Sequence, residues 1–241
     1  MSNLTPPKAL AFDVFGTIVD WRTSIAREAS SVLAPIGRSD IDPLAFADEW
    51  RARYIPAVMN VVKGKRGFVK LDVLHREMLD DLLTTLGIGA DVLDEDGRTA
   101  LTLAWHRLDP WPDAVEGLSR LKTRFPIVTL SNGNIALMVN MARRAGLPWD
   151  AILGAEISQS YKPDPKTYRA TAAALDLAPG ELCLVAAHHG DLTGGRAAGL
   201  QSAFVSRPME YGGKTAPDAH MAQDWEYSAT SLIDLANQLG C

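Results

Sequence analysis

Ala9-Leu10-Ala11-Phe12-Asp13-Val14-Phe15-Gly16-Thr17 sets four apolar residues against an aspartate and then breaks at a Gly-Thr pair. A short apolar run without polar alternation suits a strand covered on both faces, and the Gly-Thr pair signals a turn. The same event recurs along the chain. Ile127-Val128-Thr129-Leu130 ends at Ser131-Asn132-Gly133, Leu182 to Ala187 ends at His188-His189-Gly190-Asp191, and Ala203-Phe204-Val205 ends at Ser206-Arg207-Pro208. Helical patterns follow the first three runs. Short apolar runs separated by helices predict an α/β fold built on a parallel sheet with helices on both faces. Ligands bind such sheets beyond the carboxyl ends of the strands, where these polar residues sit.

Between about Asp20 and Pro110 the texture changes. Ile25 to Glu28, Phe46 to Val62, Leu71 to Leu86 and Thr99 to Leu108 carry helical spacing without a strand run. We read residues 20–109 as a helical insertion after the first strand, with residues 1–19 and 110–241 forming the α/β core. A block at this point in the chain suits a cap that closes over the strand ends, the expectation adopted here; the plainer reading is a helical layer packed permanently on the core. The stretch from Tyr211 to Asp224 reads as a surface loop before a last helix, Ser231 to Leu239.

The chain has 241 residues, 47% of them hydrophobic and 22% charged, which excludes a small stapled scaffold and general disorder. With 24 basic against 29 acidic residues the net charge is −5 and no basic run is present, so nucleic acid is excluded as partner. Met1 to Lys8 has no leader pattern, and no apolar stretch reaches the ~18 residues of a membrane span. The two cysteines, Cys183 and Cys241, form neither a metal-ligand spacing nor a disulfide framework. A soluble, cytoplasmic protein without membrane contact is expected.

Asp13, at the end of a buried strand, is either a rigidly held nucleophile or a residue that caps a turn. Ser131-Asn132-Gly133-Asn134 combines helix N-capping residues with backbone N–H groups that suit an anion. Lys162, in the proline-stiffened Tyr161-Lys162-Pro163-Asp164-Pro165, is either a surface lysine or a cation that keeps Asp13 ionised, which requires proximity. Asp191 follows His188-His189-Gly190. That pair is either a polar turn or the source of a general base, and it lacks the spacing of a zinc helix.

Taken in chain order, Asp13 with Thr17, then Ser131-Asn132, then Lys162-Pro163, then Gly190-Asp191, the sequence resembles the haloacid dehalogenase superfamily over about residues 9–210. The resemblance implies a Rossmann-like sheet with an inserted cap. Phosphatases of the superfamily carry an acid two positions after the nucleophile, where this chain has Phe15. Halide needs no proton on leaving, so the resemblance narrows to the L-2-haloacid dehalogenase (type II) branch. It implies hydrolysis of short 2-haloalkanoic acids through an ester on Asp13, without metal or cofactor. Arg51, beside Trp50 on the expected cap helix, and Asn132 are implied to hold the departing halide. Lys162 and the Ser131 loop are implied to keep Asp13 ionised and grip the substrate carboxylate, and Phe15 and Tyr168 to belong to the substrate site. Thr17 is implied to fix the rotamer of Asp13, and Asp191 with His188 to orient or deprotonate water. The last motif departs from the family, which has serine, asparagine and an aromatic residue where this chain has Ala186, His188 and Gly190. A magnesium-dependent phosphohydrolase and a catalytically idle small-anion binder are the alternatives. The resemblance also implies a homodimer, for which Trp50, Tyr54 and Trp105 are the expected exposed aromatics.

Overall fold

The computed structural model describes residues 6–241; Met1–Thr5, part of the stretch read as lacking a leader, lie outside them. β1 (Ala9–Phe12) has no exposed residue, which only an inner position in a covered sheet allows. A turn with Gly16 at φ +83° leads into β2 (Val19–Asp20). Five helices follow: α1 (Trp21–Leu33), α2 (Pro43–Ala52), α3 (Tyr54–Val62), α4 (Leu71–Thr85) and α5 (Glu95–Thr102). A 3-10 turn, Leu103–Arg107, brings the chain to β3 (Asp109–Pro110), which pairs antiparallel with β2. The helical block thus leaves and re-enters the core through one two-stranded ribbon.

The rest alternates strand and helix: α6 (Ala114–Lys122), β4 (Ile127–Thr129), α7 (Ile135–Ala145), α8 (Pro165–Ala173), β5 (Leu182–Ala186), α9 (His189–Ala197), β6 (Gln201–Val205), β7 (Tyr227–Ala229) and α10 (Leu232–Gln238). Several helices start where a side chain satisfies an orphan N–H. Asp42 accepts from Leu44, with Pro43 opening α2, and Asp164 accepts from Lys166, with Pro165 opening α8.

The main sheet runs β4-β1-β5-β6-β7, every pair parallel. Phe12 stands level with Thr129 on one side and Val185 on the other. The segments that follow these three strands therefore emerge at one edge. Along β1, Leu10 and Phe12 pack into one apolar layer, while Ala9 and Ala11 pack into the other with Tyr168, Leu184 and Leu192. That alternation, apolar on both sides, is the expected doubly covered sheet.

The larger layer runs without a break into the helical block. Trp50 meets Trp105 edge to face at 5.5 Å, and Trp105 stacks on His75 at 4.4 Å. Burying a tryptophan removes ~150–250 Å² from water, a gross gain of about 4–6 kcal/mol each before ordering costs. The expectation of exposed pairing aromatics is therefore corrected, since Trp50, Tyr54 and Trp105 are 0, 7 and 1% exposed and build the inner face of the block. The helical reading of Phe46 to Val62 also divides, because the chain turns at Arg53 between α2 and α3. β7 escaped the reading because its residues grade from half-buried through exposed to buried, leaving no apolar run at the sheet edge.

Candidate active site

A cavity of about 770 Å³ opens at the carboxyl edge of the sheet, beneath the helical block. Asp13, Lys162, His188 and Asp191 form its floor, and Trp21, Arg51 and Tyr54 face them from the block. Asp13 still belongs to the sheet ladder, its N–H donating to the Val185 carbonyl at 3.0 Å. The turn at Gly16 returns Thr17 to it. Thr17 Oγ1 donates to Asp13 Oδ2 at 2.7 Å and accepts the Ala187 N–H at 2.9 Å, so one hydroxyl fixes the carboxylate against β5.

Lys162 Nζ lies 2.8 Å from Asp13 Oδ1 and 2.5 Å from Asp191 Oδ2. Tyr168 donates its hydroxyl to Asp191 Oδ1 at 2.8 Å. On the other side His188 Nδ1 is 3.1 Å from Asp13 Oδ2, and its Nε2 is 3.0 Å from both oxygens of Glu210. Trp21 Nε1 donates to Glu210 Oε1 at 3.0 Å. The result is a chain of alternating charge, Asp191–Lys162–Asp13–His188–Glu210, with Asp13 and Glu210 buried and the other three partly buried.

That alternation sets the protonation. Burial pushes the Asp13 carboxyl up, but the Lys162 ammonium and the His188 ring outweigh it and hold the group well below the usual carboxylate range. Burial works against a charged His188, yet Glu210 and Asp13 raise it well above an ordinary histidine. Lys162 is raised by Asp13 and Asp191 against the same burial penalty. Asp191 is raised by burial, with Lys162 opposing and Asp13 adding to the rise. Glu210 is lowered: burial opposes its charge and His188 prevails.

Arg51 stands apart. Its guanidinium lies over the Tyr54 ring at 4.1 Å and the Trp21 ring at 5.6 Å, and it makes no ion pair or hydrogen bond with another described residue. Arg51 also lines the cavity, so a cation without an anionic partner among the described residues stands at its wall. Asn132 Oδ1 accepts the Lys162 N–H at 2.7 Å while Nδ2 donates to the Tyr54 hydroxyl at 2.7 Å, tying the lysine loop to the helical block. Phe15 presents an apolar wall and meets Trp105 edge-on at 5.9 Å. Ser131 differs from its expected place at the substrate. Its side chain is buried, accepts the Gly133 N–H at 3.1 Å and does not line the cavity, because the tight turn into α7 needs that acceptor.

Three parts of the site escaped the sequence reading. Glu210 lies five residues beyond Val205, past the fourth strand end, and the rule that places ligands at strand ends was the signal pointing there. Trp21 and Tyr54 carried no signal beyond their apolar spacing. The stretch read as a surface loop supplies a wall instead, through Tyr211, Lys214, Pro217, Asp218 and Met221. Asp218 Oδ2 accepts the Gly190 N–H at 2.6 Å, which draws the loop over the strand ends.

A divalent cation fits this donor set poorly. The two carboxylates it would share, Asp13 and Asp191, are already bridged by the Lys162 ammonium, and the Phe15 side chain offers no oxygen. Among the described residues no group of three acidic, histidine or cysteine side chains has metal-holding geometry.

Residues 7–199 match the haloacid dehalogenase-like hydrolase family. Two solved structures are similar over almost the whole chain. A defluorinating L-2-haloacid dehalogenase is 47% identical, covering 98% of this chain and 96% of its own at TM-score 0.94. A further L-2-haloacid dehalogenase is 43% identical, covering 97% and 99% at TM-score 0.91. (S)-2-haloacid dehalogenase 1 of Pseudomonas sp. (strain CBS-3) is 29% identical over 90% of this chain and 92% of its own. With a family match over most of its length and an Asp13–Lys162–Asp191 cluster at the carboxyl edge of the sheet, the chain belongs to the haloacid dehalogenase-like hydrolases.

Proposed function

We propose that the protein hydrolyses the carbon–halogen bond of short 2-haloalkanoic acids, giving 2-hydroxy acids through an ester on Asp13. The observation that carries this reading is the buried, ionised Asp13 between Lys162 and His188, with Phe15 where a leaving alkoxide would need an acid. A carboxylate is a competent nucleophile for displacing halide from carbon, and the leaving halide needs no proton. An in-line displacement puts the halide on the side of carbon opposite Asp13, toward the helical block. Arg51 is the unpaired cation on that side, with the Asn132 amide nearby, and we assign both to the departing halide. Phe15 and the surrounding aromatic rings keep that region apolar, which strengthens the Arg51 charge.

Lys162 keeps Asp13 ionised, and of the Ser131 turn we assign to the substrate carboxylate the backbone N–H of Asn132, the residue of that turn that lines the cavity. In the second half, water attacks the Asp13 carboxyl carbon. Asp191, held by Lys162 and Tyr168, and His188 orient or deprotonate it.

We further propose that residues 20–109 act as a cap whose closure about the β2–β3 ribbon dries the site. The two unpaired cysteines suit a reducing, cytoplasmic setting, and no described helix is long and apolar enough to cross a membrane. Homodimer formation follows from the family resemblance alone. The buried tryptophans leave it to other surfaces, and sedimentation velocity tests it.

Halide release from chloro-, bromo- and fluoroacetate and from both 2-chloropropionate enantiomers, with and without chelator, tests the reaction. Chelator-insensitive halide release, with preference for one enantiomer, is expected. Chelator-sensitive phosphate release from small phosphate esters, with no halide released from the panel, overturns it.

A further inference from the structure

We infer that Glu210 is a positioning residue for ester hydrolysis, holding His188 by Nε2 so that Nδ1 serves the water that attacks the Asp13 ester. The inference rests on the covalent reading above and assigns a task to a residue that reading leaves idle.

The geometry separates the two half-reactions. His188 touches Asp13 itself, 3.1 Å from Oδ2, so it lies on the nucleophile's side of the reacting carbon. The halide departs on the opposite side, beyond reach of the same nitrogen. A group beside the carboxyl oxygen but away from the leaving atom acts where water must come, at the ester carbonyl carbon.

Glu210 is built to hold that ring. Its carboxylate is 2% exposed, and both oxygens stand 3.0 Å from Nε2. A buried carboxylate is costly unless paired, and its hydrogen-bond partners are His188 and the Trp21 N–H. Space is reserved for it as well. A Cβ at Gly16 would lie 2.1 Å from Glu210 Oε1, so the turn that returns Thr17 to Asp13 also makes room for this carboxylate. The arrangement parallels a carboxylate–histidine–hydroxyl triad, with water as the hydroxyl.

In the resting site the ring lies between two carboxylates, and both favour the imidazolium. Alkylation of Asp13 removes one of those charges, and the Nδ1 proton passes to solvent through the cavity that His188 lines. Nδ1 then takes a proton from water as the water oxygen bonds to the Asp13 carboxyl carbon. The oxyanion forms beside Lys162. Collapse breaks the bond between that carbon and the ester oxygen, the leaving alkoxide takes the Nδ1 proton, and the new Asp13 carboxylic acid returns its own proton to Nδ1. Overall, water and haloacid give hydroxy acid, halide and one proton. Throughout, Glu210 keeps the Nε2–H, which fixes the tautomer with Nδ1 free.

Rapid-quench turnover of (S)-2-chloropropionate by wild type and Glu210→Gln tests this, following chloride, lactate and intact protein mass. The variant is expected to release about one chloride per chain at a rate within about threefold of wild type. Lactate formation falls roughly 10²–10³-fold, and the carboxyethyl adduct accumulates on the Asp13 peptide. Equal slowing of chloride and lactate, or slow lactate without adduct, overturns the role of Glu210. If Glu210→Gln does not fold, Trp21→Phe decides, because it takes the indole N–H from Glu210 while leaving the carboxylate and an aromatic ring in place: a smaller adduct build-up in the same direction, with chloride release preserved, supports the role, and none refutes it. Wild type that releases no halide from any 2-haloacid refutes the underlying reaction, whatever the variants do.

Discussion

Replacing Lys162 with methionine removes the cation shared by two buried carboxylates while nearly keeping its volume. The ammonium donates to Asp13 at 2.8 Å and to Asp191 at 2.5 Å, with all three side chains about 9% exposed. A hydrogen bond to a charged group contributes about 1.5–3 kcal/mol, so two give ~3–6 kcal/mol. Breaking a buried ion pair from one side costs ~3–5 kcal/mol, and the two figures agree. Urea unfolding at pH 7 should therefore show a loss of about 3–5 kcal/mol in Lys162→Met. Adding Asp191→Asn should recover part of it, because one stranded charge disappears. The same change bears on chemistry. Asp13 is held low by Lys162 and His188, so its charge is present above the ordinary carboxylate range and is lost only as pH falls below it. Without Lys162 the acid limb of halide release should move up by roughly 1–3 pH units. A variant that loses less than about 1 kcal/mol, keeps the wild-type acid limb and turns over normally would refute the reasoning.

Arg51→Leu should separate function from stability. The guanidinium makes ring contacts but no ion pair among the described residues, so the unfolding free energy should fall by less than ~2 kcal/mol while halide release drops at least ~10²-fold. Phe15→Asp should not produce a phosphatase. It buries a carboxylate against Trp105 and His75 with no cation in contact, so a loss of ~3 kcal/mol or more in thermal or urea unfolding is expected, and magnesium-dependent phosphate release would contradict it. His75 is fully buried and its ring is pushed down to about 3, so the folded state refuses a proton that the unfolded chain accepts below about 6.5. Its contribution is complete above that pH and is lost on acidification at up to ~1.4 kcal/mol per unit. His75→Met should flatten unfolding free energy against pH between about 6.5 and 4, which urea titrations would show.

The parallel sheet was legible because β1, β4 and β5 are buried on both faces, and such strands write themselves as unbroken apolar runs. β7 was not, since a strand at the sheet edge with an exposed residue loses that signature. Asp13 and Asp191 were legible through their place after apolar strand runs and Lys162 through its order between them, although only the fold shows that one ammonium bridges both carboxylates. Glu210 is a different case. Its position is fixed by a loop, by the bare backbone at Gly16 and by Trp21 from the helical block, none of which has a sequence period. Trp50 and Trp105 misled for a related reason. Helical spacing says that a residue lies on a stripe but not which stripe turns inward, and here the inward stripe packs Trp50 on Trp105 and Trp105 on His75 and Phe15.

A single turnover in heavy-oxygen water asks which atom bonds to the substrate carbon. Enzyme in excess over (S)-2-chloropropionate should carry the label on the Asp13 peptide and release lactate without it, because the product hydroxyl comes from the carboxylate and water restores that oxygen. Label found directly in lactate, with Asp13 unlabelled, would mean that water displaces the halide and that Asp13 never forms the ester.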